Sequence, residues 1–178
     1  MLIKATLEDI QKYGESVYNT ALNPVRSSYP TYRDGIKTKS DFFCDAERAV
    51  KKDTSELLLF RMEGNVEGWI SYYWIPKDKY LQLTACHINC GTAQALTELL
   101  DWLETHFAGY TAYFGFPGEN REAMKFLQAH AFKCIEKDWN YSLFFDDYEP
   151  KNGVSCVERI TRRNFDKFRT VYHAEPET

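Results

Sequence analysis

The sequence has no apolar run approaching the roughly 20 residues that a membrane-spanning helix needs, so nothing in it reads as a bilayer segment. It has no leader pattern either. Met1-Leu2-Ile3-Lys4-Ala5-Thr6-Leu7-Glu8-Asp9 puts acidic residues where a secretory signal keeps its apolar stretch, and a cytoplasmic location is the expectation. Basic charge is not in excess: 22 Lys and Arg stand against 26 Asp and Glu, a formal net charge of −4. That balance removes the broad positive footprint of a nucleic-acid binder, and no nucleic-acid or membrane partner is expected. Cysteine is scarce and odd in number. Cys44, Cys86, Cys90, Cys134 and Cys156 are scattered through the chain, which argues for reduced thiols over a disulfide framework. Metal-ligand spacing is missing as well. Cys86, His87 and Cys90 cluster in sequence, but strand alternation turns His87 away from Cys86 and no second ligand pair follows at zinc spacing, so no metal is expected.

What is present suits one packed domain. With 178 residues, 44% hydrophobic and 27% charged, the chain can bury a sizeable core, and two full domains would be cramped. Residues 2–5 read as a strand. Thr6-Leu7-Glu8-Asp9 is a capping-box pattern that starts a helix with Ile10, Tyr13 and Val17 on one face, and Asn23-Pro24 ends it. Residues 24–39 read as irregular. Ser40 is the expected cap of a second helix carrying Phe42, Phe43, Ala46, Ala49 and Val50 on its apolar side. Residues 56–62 and 66–75 are β-prone runs joined by Glu63-Gly64-Asn65, a hairpin signal, and after a turn at Lys77-Asp78-Lys79 the run 80–88 extends the meander. Both alternating sets of the middle strand are apolar, which predicts cover on both faces. The aromatic richness of these strands, 16% of the chain, is explained by that cover without an oligomer interface, and oligomeric state stays open.

Beyond Ile88 the period becomes helical, with Leu96, Leu99, Leu100, Leu103 and Phe107 on one face of a helix over 92–107 closed by Gly109. A strand over 110–116, a helix over 119–130 and two strand segments over 132–145 complete the expected order. Near the C-terminus the opening pattern recurs: Thr161 falls on Thr6, Asn164 on Asp9, Phe165 on Ile10 and Phe168 on Tyr13. Residues 157–173 therefore read either as a docked amphipathic helix or as the start of a second, incomplete copy.

The junction Ile88-Asn89-Cys90-Gly91-Thr92-Ala93 passes from strand through small residues into a helix, where unpaired first-turn amides and the helix dipole favour an anion. Here the chain resembles the GNAT superfamily of N-acetyltransferases over about residues 2–146. Gly91 and Ala93 match the last anchors of the family's coenzyme-pyrophosphate loop, while Ile88 stands in place of its Arg or Gln. Asn120, Ala123, Phe126 and Phe132 match a second family pattern, with Leu127 in place of the proton-donating tyrosine and Ala131 in place of a glycine.

The resemblance implies an α/β fold with a mixed, mostly antiparallel sheet flanked by helices. It implies an acyl-CoA-binding domain over 1–150, a C-terminal extension over 151–178, acetyl-CoA as co-substrate and an amine, expected to be a small molecule, as acceptor. It further implies that Ile88, Asn89, Cys90, Gly91, Thr92 and Ala93 hold the coenzyme, the first two by backbone contact with its arm, together with Asn120 and Phe126. For a base, Gln82 offers no charge. Glu67 and His87 are candidates, against the readings of a solvated hairpin charge and a hydrogen-bonded core histidine. The loop over the acetyl end carries Arg26, Tyr29, Tyr32 and Arg33, read either as a carboxylate or phosphate clamp or as an ordinary exposed loop. Acetyl transfer to an amine is the leading function, and the alternative is a GNAT-like binding or structural module without turnover, such as one part of a tandem-domain protein.

Overall fold

The structure, a computed structural model, describes residues 1–32 and 38–137. Arg33, the expected strand segments past 137, residues 157–173 and the 151–178 extension lie outside the described residues.

Strand β1 (Leu2–Lys4) leads into helix α1 (Leu7–Ala21), whose Thr6 cap and Asp9 form the expected reciprocal box. A short 3-10 turn, Pro24–Arg26, follows, and helix α2 spans Lys39–Lys51. Its cap is Thr38 rather than Ser40. The Asp41 N–H donates to Thr38 Oγ1 at 3.2 Å and the Thr38 N–H to Asp41 Oδ2 at 2.9 Å. Ser40 has Phe43 three residues on, which cannot return that bond, so the reciprocal pair wins.

Strands β2 (Ser55–Met62), β3 (Asn65–Ile75) and β4 (Tyr80–Ile88) form the antiparallel meander. The β2–β3 turn is Glu63 and Gly64, at φ 51 and 84; Asn65 is already in the strand. Helix α3 (Thr92–His106) leads to a short strand, β5 (Thr111–Tyr113), and then to helix α4 (Arg121–Ala129). The sheet order is β1-β2-β3-β4-β5, antiparallel except for the parallel β4–β5 pair.

Alternation along the strands separates two cores. Leu57, Leu59 and Trp69 face α1 and α2 with Ile10, Val17, Phe42 and Ala46, and Trp69 stacks on Phe42 with centroids 5.0 Å apart. Leu58, Phe60, Ile70 and Tyr72 face the other way and pack with Leu96, Leu99 and Phe126 of α3 and α4. The middle strand is covered on both faces, as its composition predicted.

Two departures shape the far edge of the sheet. The β3–β4 register shifts between Ser71 and Tyr72, leaving Thr84 as an extra residue on β4, and such a bulge bends and twists the strand. β5 therefore pairs only with Tyr80–Gln82, so the strand expected over 110–116 shrinks to three residues. Residues 132–137 are not a strand: Ala131 turns the chain at φ 58, with the Phe132 N–H returning to the Leu127 carbonyl at 3.0 Å. Among the described residues no helix is long and apolar enough to cross a membrane.

Candidate functional site

The loop after β4 forms because Gly91 adopts φ 79 and ψ 39, a left-handed conformation that a Cβ disfavours, and so caps α3 without a side-chain bond. Thr92 is buried, and Asn89 and Cys90 are exposed. The amide expected to meet a phosphate is already bonded: the Ala93 N–H donates to Glu122 Oε1 at 2.9 Å, so a carboxylate from α4 sits at the N-terminus of α3. The helix dipole favours negative charge there, and Glu122 supplies it from within the chain.

The backbone edge of β4 is also engaged. The Asn89 N–H extends the ladder to the Glu67 carbonyl at 2.7 Å, which by strand parity turns the amides of Cys86 and Ile88 away from β3, toward the side β5 has left. That side holds residues 27–29. Ser27 bridges antiparallel to His87, the Ser28 N–H donates to the Cys86 carbonyl at 2.8 Å, and the Cys86 N–H donates to Ser28 Oγ at 2.7 Å. The Tyr29 N–H donates to the Gly115 carbonyl at 2.9 Å, so the segment spans the gap between β4 and the chain after β5. Ser27 and Ser28 are fully buried.

Asn120 caps α4, accepting from the Ala123 N–H at 3.1 Å, and its Nδ2 donates to the Ser27 carbonyl at 3.0 Å. Phe126 is core, stacked on His130 at 3.9 Å between centroids. Arg26 donates to Asn89 Oδ1, and Asn89 Nδ2 donates to Glu67 Oε2 at 3.1 Å, a short chain across the mouth of the loop. The structure thus gathers Arg26, Glu67, Asn89 and Asn120 around the Ser27–Tyr29 segment.

His87 is elsewhere. Strand alternation sends it to the α1–α2 side, where its ring meets Tyr32 and Phe42 at 5.6 and 5.9 Å between centroids. It is fully buried, neither ring nitrogen has a hydrogen-bond partner among the described residues, and burial pushes the imidazole down to about 3. The same burial pushes the Cys86 thiol up to about 12, which keeps it protonated. Tyr32, also buried, is raised by desolvation and then by Asp45 and Asp41, whereas Tyr29 is 39% exposed. Leu127 is half-buried against the α3–α4 core and has no proton to give. Among the described residues no cluster of His, Cys, Asp or Glu is arranged to hold a metal ion.

Nothing local in the sequence marks Ser27, Ser28, Gly115 or Glu122 as part of the site. A Ser-Ser pair after a Pro-capped turn looks like ordinary loop, and an acidic residue in a first helical turn looks like dipole compensation for its own helix.

No family model matches the chain, and no curated protein matches it. Solved structures do. A probable acetyltransferase aligns over 83% of this chain and 99% of its own at 14% identity, with a TM-score of 0.54. An aminoglycoside acetyltransferase from an uncultured soil metagenomic sample aligns over 81% and 98% at 9% identity, TM-score 0.53. The ribosomal-protein-alanine N-acetyltransferase of Brucella melitensis biovar Abortus 2308 aligns over 80% and 98% at 14% identity, TM-score 0.52. The chain has the fold of the GNAT acetyltransferases.

Proposed function

We propose that this chain is a GNAT-fold domain that serves as a binding or structural module rather than by acetyl transfer. The observation that carries the reading is the Ala93 amide bonded to the Glu122 carboxylate at 2.9 Å. Acetyl-CoA does not fit the loop in this arrangement: a diphosphate at the start of α3 would meet the Glu122 carboxylate and compete with it for an amide already in use. The residues around it agree. Leu127 and Gln82 supply neither acid nor base, and Ile88, fully buried, presents no polar side chain to the loop. His87 stays neutral far below physiological pH, and its ring lies on the opposite side of the sheet from the Phe126 core.

The second reading is an acetyl-CoA-dependent N-acetyltransferase of a small-molecule amine. It is favoured by the left-handed Gly91 and by the fold shared with acetyltransferases over four-fifths of the chain. In it the residues of the 88–93 loop with Asn120 and Phe126 hold the coenzyme, Glu67 is the remaining base, and Arg26, Tyr29, Tyr32 and Arg33 border the acceptor. The two readings separate by titration calorimetry with acetyl-CoA and by thiol release across a panel of primary amines. The module reading expects no amine-dependent thiol release; turnover with any amine sinks it and installs the second.

A further inference from the structure

Helix α2 covers the sheet incompletely. It packs on β2 and β3, but after Phe42 its buried residues are Ala46 and Ala49, whose side chains end at Cβ. The space they leave is a cavity of about 260 Å³ between α2 and the strands. Leu57, Trp69 and Ser71 line it from β2 and β3, with Tyr32 and Tyr73 beside them. The bulge on β4 adds Thr84 to the same lining, its Oγ1 2.6 Å from Ser71 Oγ. No residue of the 86–93 stretch lines this cavity, nor do Asn120 and Phe126, so it is separate from the loop after β4.

Most polar groups of the lining are already in use. Arg48 Nη1 donates to Asp45 Oδ1 at 2.7 Å, the Tyr73 hydroxyl to Gln82 Oε1 at 2.7 Å, and Ser55 Oγ to the Ala49 carbonyl at 3.2 Å. Two donors are left over. The Ser71–Thr84 pair carries two hydroxyl protons and its mutual bond uses one. Lys52, exposed at the end of α2, makes no ion pair among the described residues, and together with Asp45 and Arg48 it gives the lining an excess of positive charge. That excess disfavours a cation, and the Asp45 carboxylate disfavours a doubly charged phosphate. The volume lies just below the roughly 300–1,000 Å³ of sites for drug-sized ligands, which limits the occupant to one or two rings.

We infer that this cavity binds a small aromatic monocarboxylate with a hydrogen-bond acceptor on its ring. The ring packs against Leu57, Trp69 and the two alanines, the carboxylate meets Lys52, and the ring acceptor takes the free hydroxyl proton of Ser71 and Thr84. The inference gives the binding module its ligand, and rests on that reading for the absence of a reaction after binding.

The test titrates the full chain, without acetyl-CoA, with 4-hydroxyphenylacetate. Phenylacetate lacks the ring acceptor, 4-cresol lacks the charge, tyramine reverses it, and acetate lacks the ring. Amide shifts by NMR at Ala49, Ser71 and Thr84 report the site, and calorimetry reports the affinity. 4-Hydroxyphenylacetate should saturate all three shifts with a Kd below about 1 mM. Lys52→Gln should weaken it about 2- to 5-fold and leave 4-cresol unchanged. Thr84→Val should weaken it about 2- to 10-fold and remove its advantage over phenylacetate. No saturable shift at these amides, tyramine binding as tightly as the acid, or an affinity untouched by both substitutions overturns the proposal. Should Thr84→Val disturb the sheet, the ligand series and Lys52→Gln, a change at an exposed side chain, decide. Failure of the titrations leaves the module reading standing. Amine-dependent thiol release removes that reading instead, and the same titrations still decide the cavity.

Discussion

At position 87 the fold buries an imidazole between Tyr32 and Phe42 with both nitrogens lacking a hydrogen-bond partner among the described residues, which costs about 1–3 kcal/mol for each unsatisfied group. His87→Phe should therefore stabilise the protein at pH 7, by about 1–2 kcal/mol after repacking, read from denaturant midpoints. Its pH dependence follows from the direction of the shift. Above pH 6.5 the ring is neutral folded and unfolded; below it the unfolded chain takes a proton that the folded chain refuses until about 3. Stability is thus lost as pH falls through that window, by up to about 1.4 kcal/mol per unit for one proton. His87→Phe should flatten the acid limb between pH 6.5 and 4, and an unchanged slope in thermal melts would refute the burial. Ala131 presents the opposite case, a Cβ at φ 58. Glycine there relieves a left-handed conformation that costs roughly 1–2 kcal/mol, so Ala131→Gly should raise stability by about 1 kcal/mol, and a lower melting temperature would contradict the turn.

At the scale of elements, the starts of helices separate two nearby hydroxyls. Thr38 accepts from the Asp41 amide and Asp41 returns a bond to the Thr38 amide, while Ser40 lies within α2. Thr38→Ala should cost about 1 kcal/mol, whereas Ser40→Ala should be neutral or stabilise by a few tenths because alanine is the better helix former, a contrast measured by urea denaturation of the pair. Equal losses would restore the cap to Ser40. The elements were largely legible because their signals are local: Thr6 and Asp9 lie within one turn, and the alternation from Tyr80 to Ile88 is a property of nine successive residues. The C-terminal end of β5 was not. Residues 114–116 have the composition of a strand, but whether they pair depends on the bulge at Thr84 and on Tyr29 reaching Gly115, both set by chain far away in sequence.

For the molecule as a whole, Asn120 ties α4 to the loop after α1, a link across 93 residues. Asn120→Ala leaves the Ser27 carbonyl and the Ala123 amide unsatisfied in a buried place. It should cost about 3 kcal/mol, a fall of roughly 6–12 °C in melting temperature by calorimetry; a fall under about 2 °C would mean that the two groups find other partners. The sequence by itself determined the α/β order, the doubly covered middle strand, the glycine turn ahead of α3 and the absence of a donor at Leu127, since each follows from periodicity or residue chemistry within a few positions. Only the tertiary structure decided what that glycine turn faces. Glu122 and the Ser27–Tyr29 segment reach the β4 edge and the α3 N-terminus from distant parts of the chain, and no local pattern records which amides a folded chain has already satisfied with its own groups.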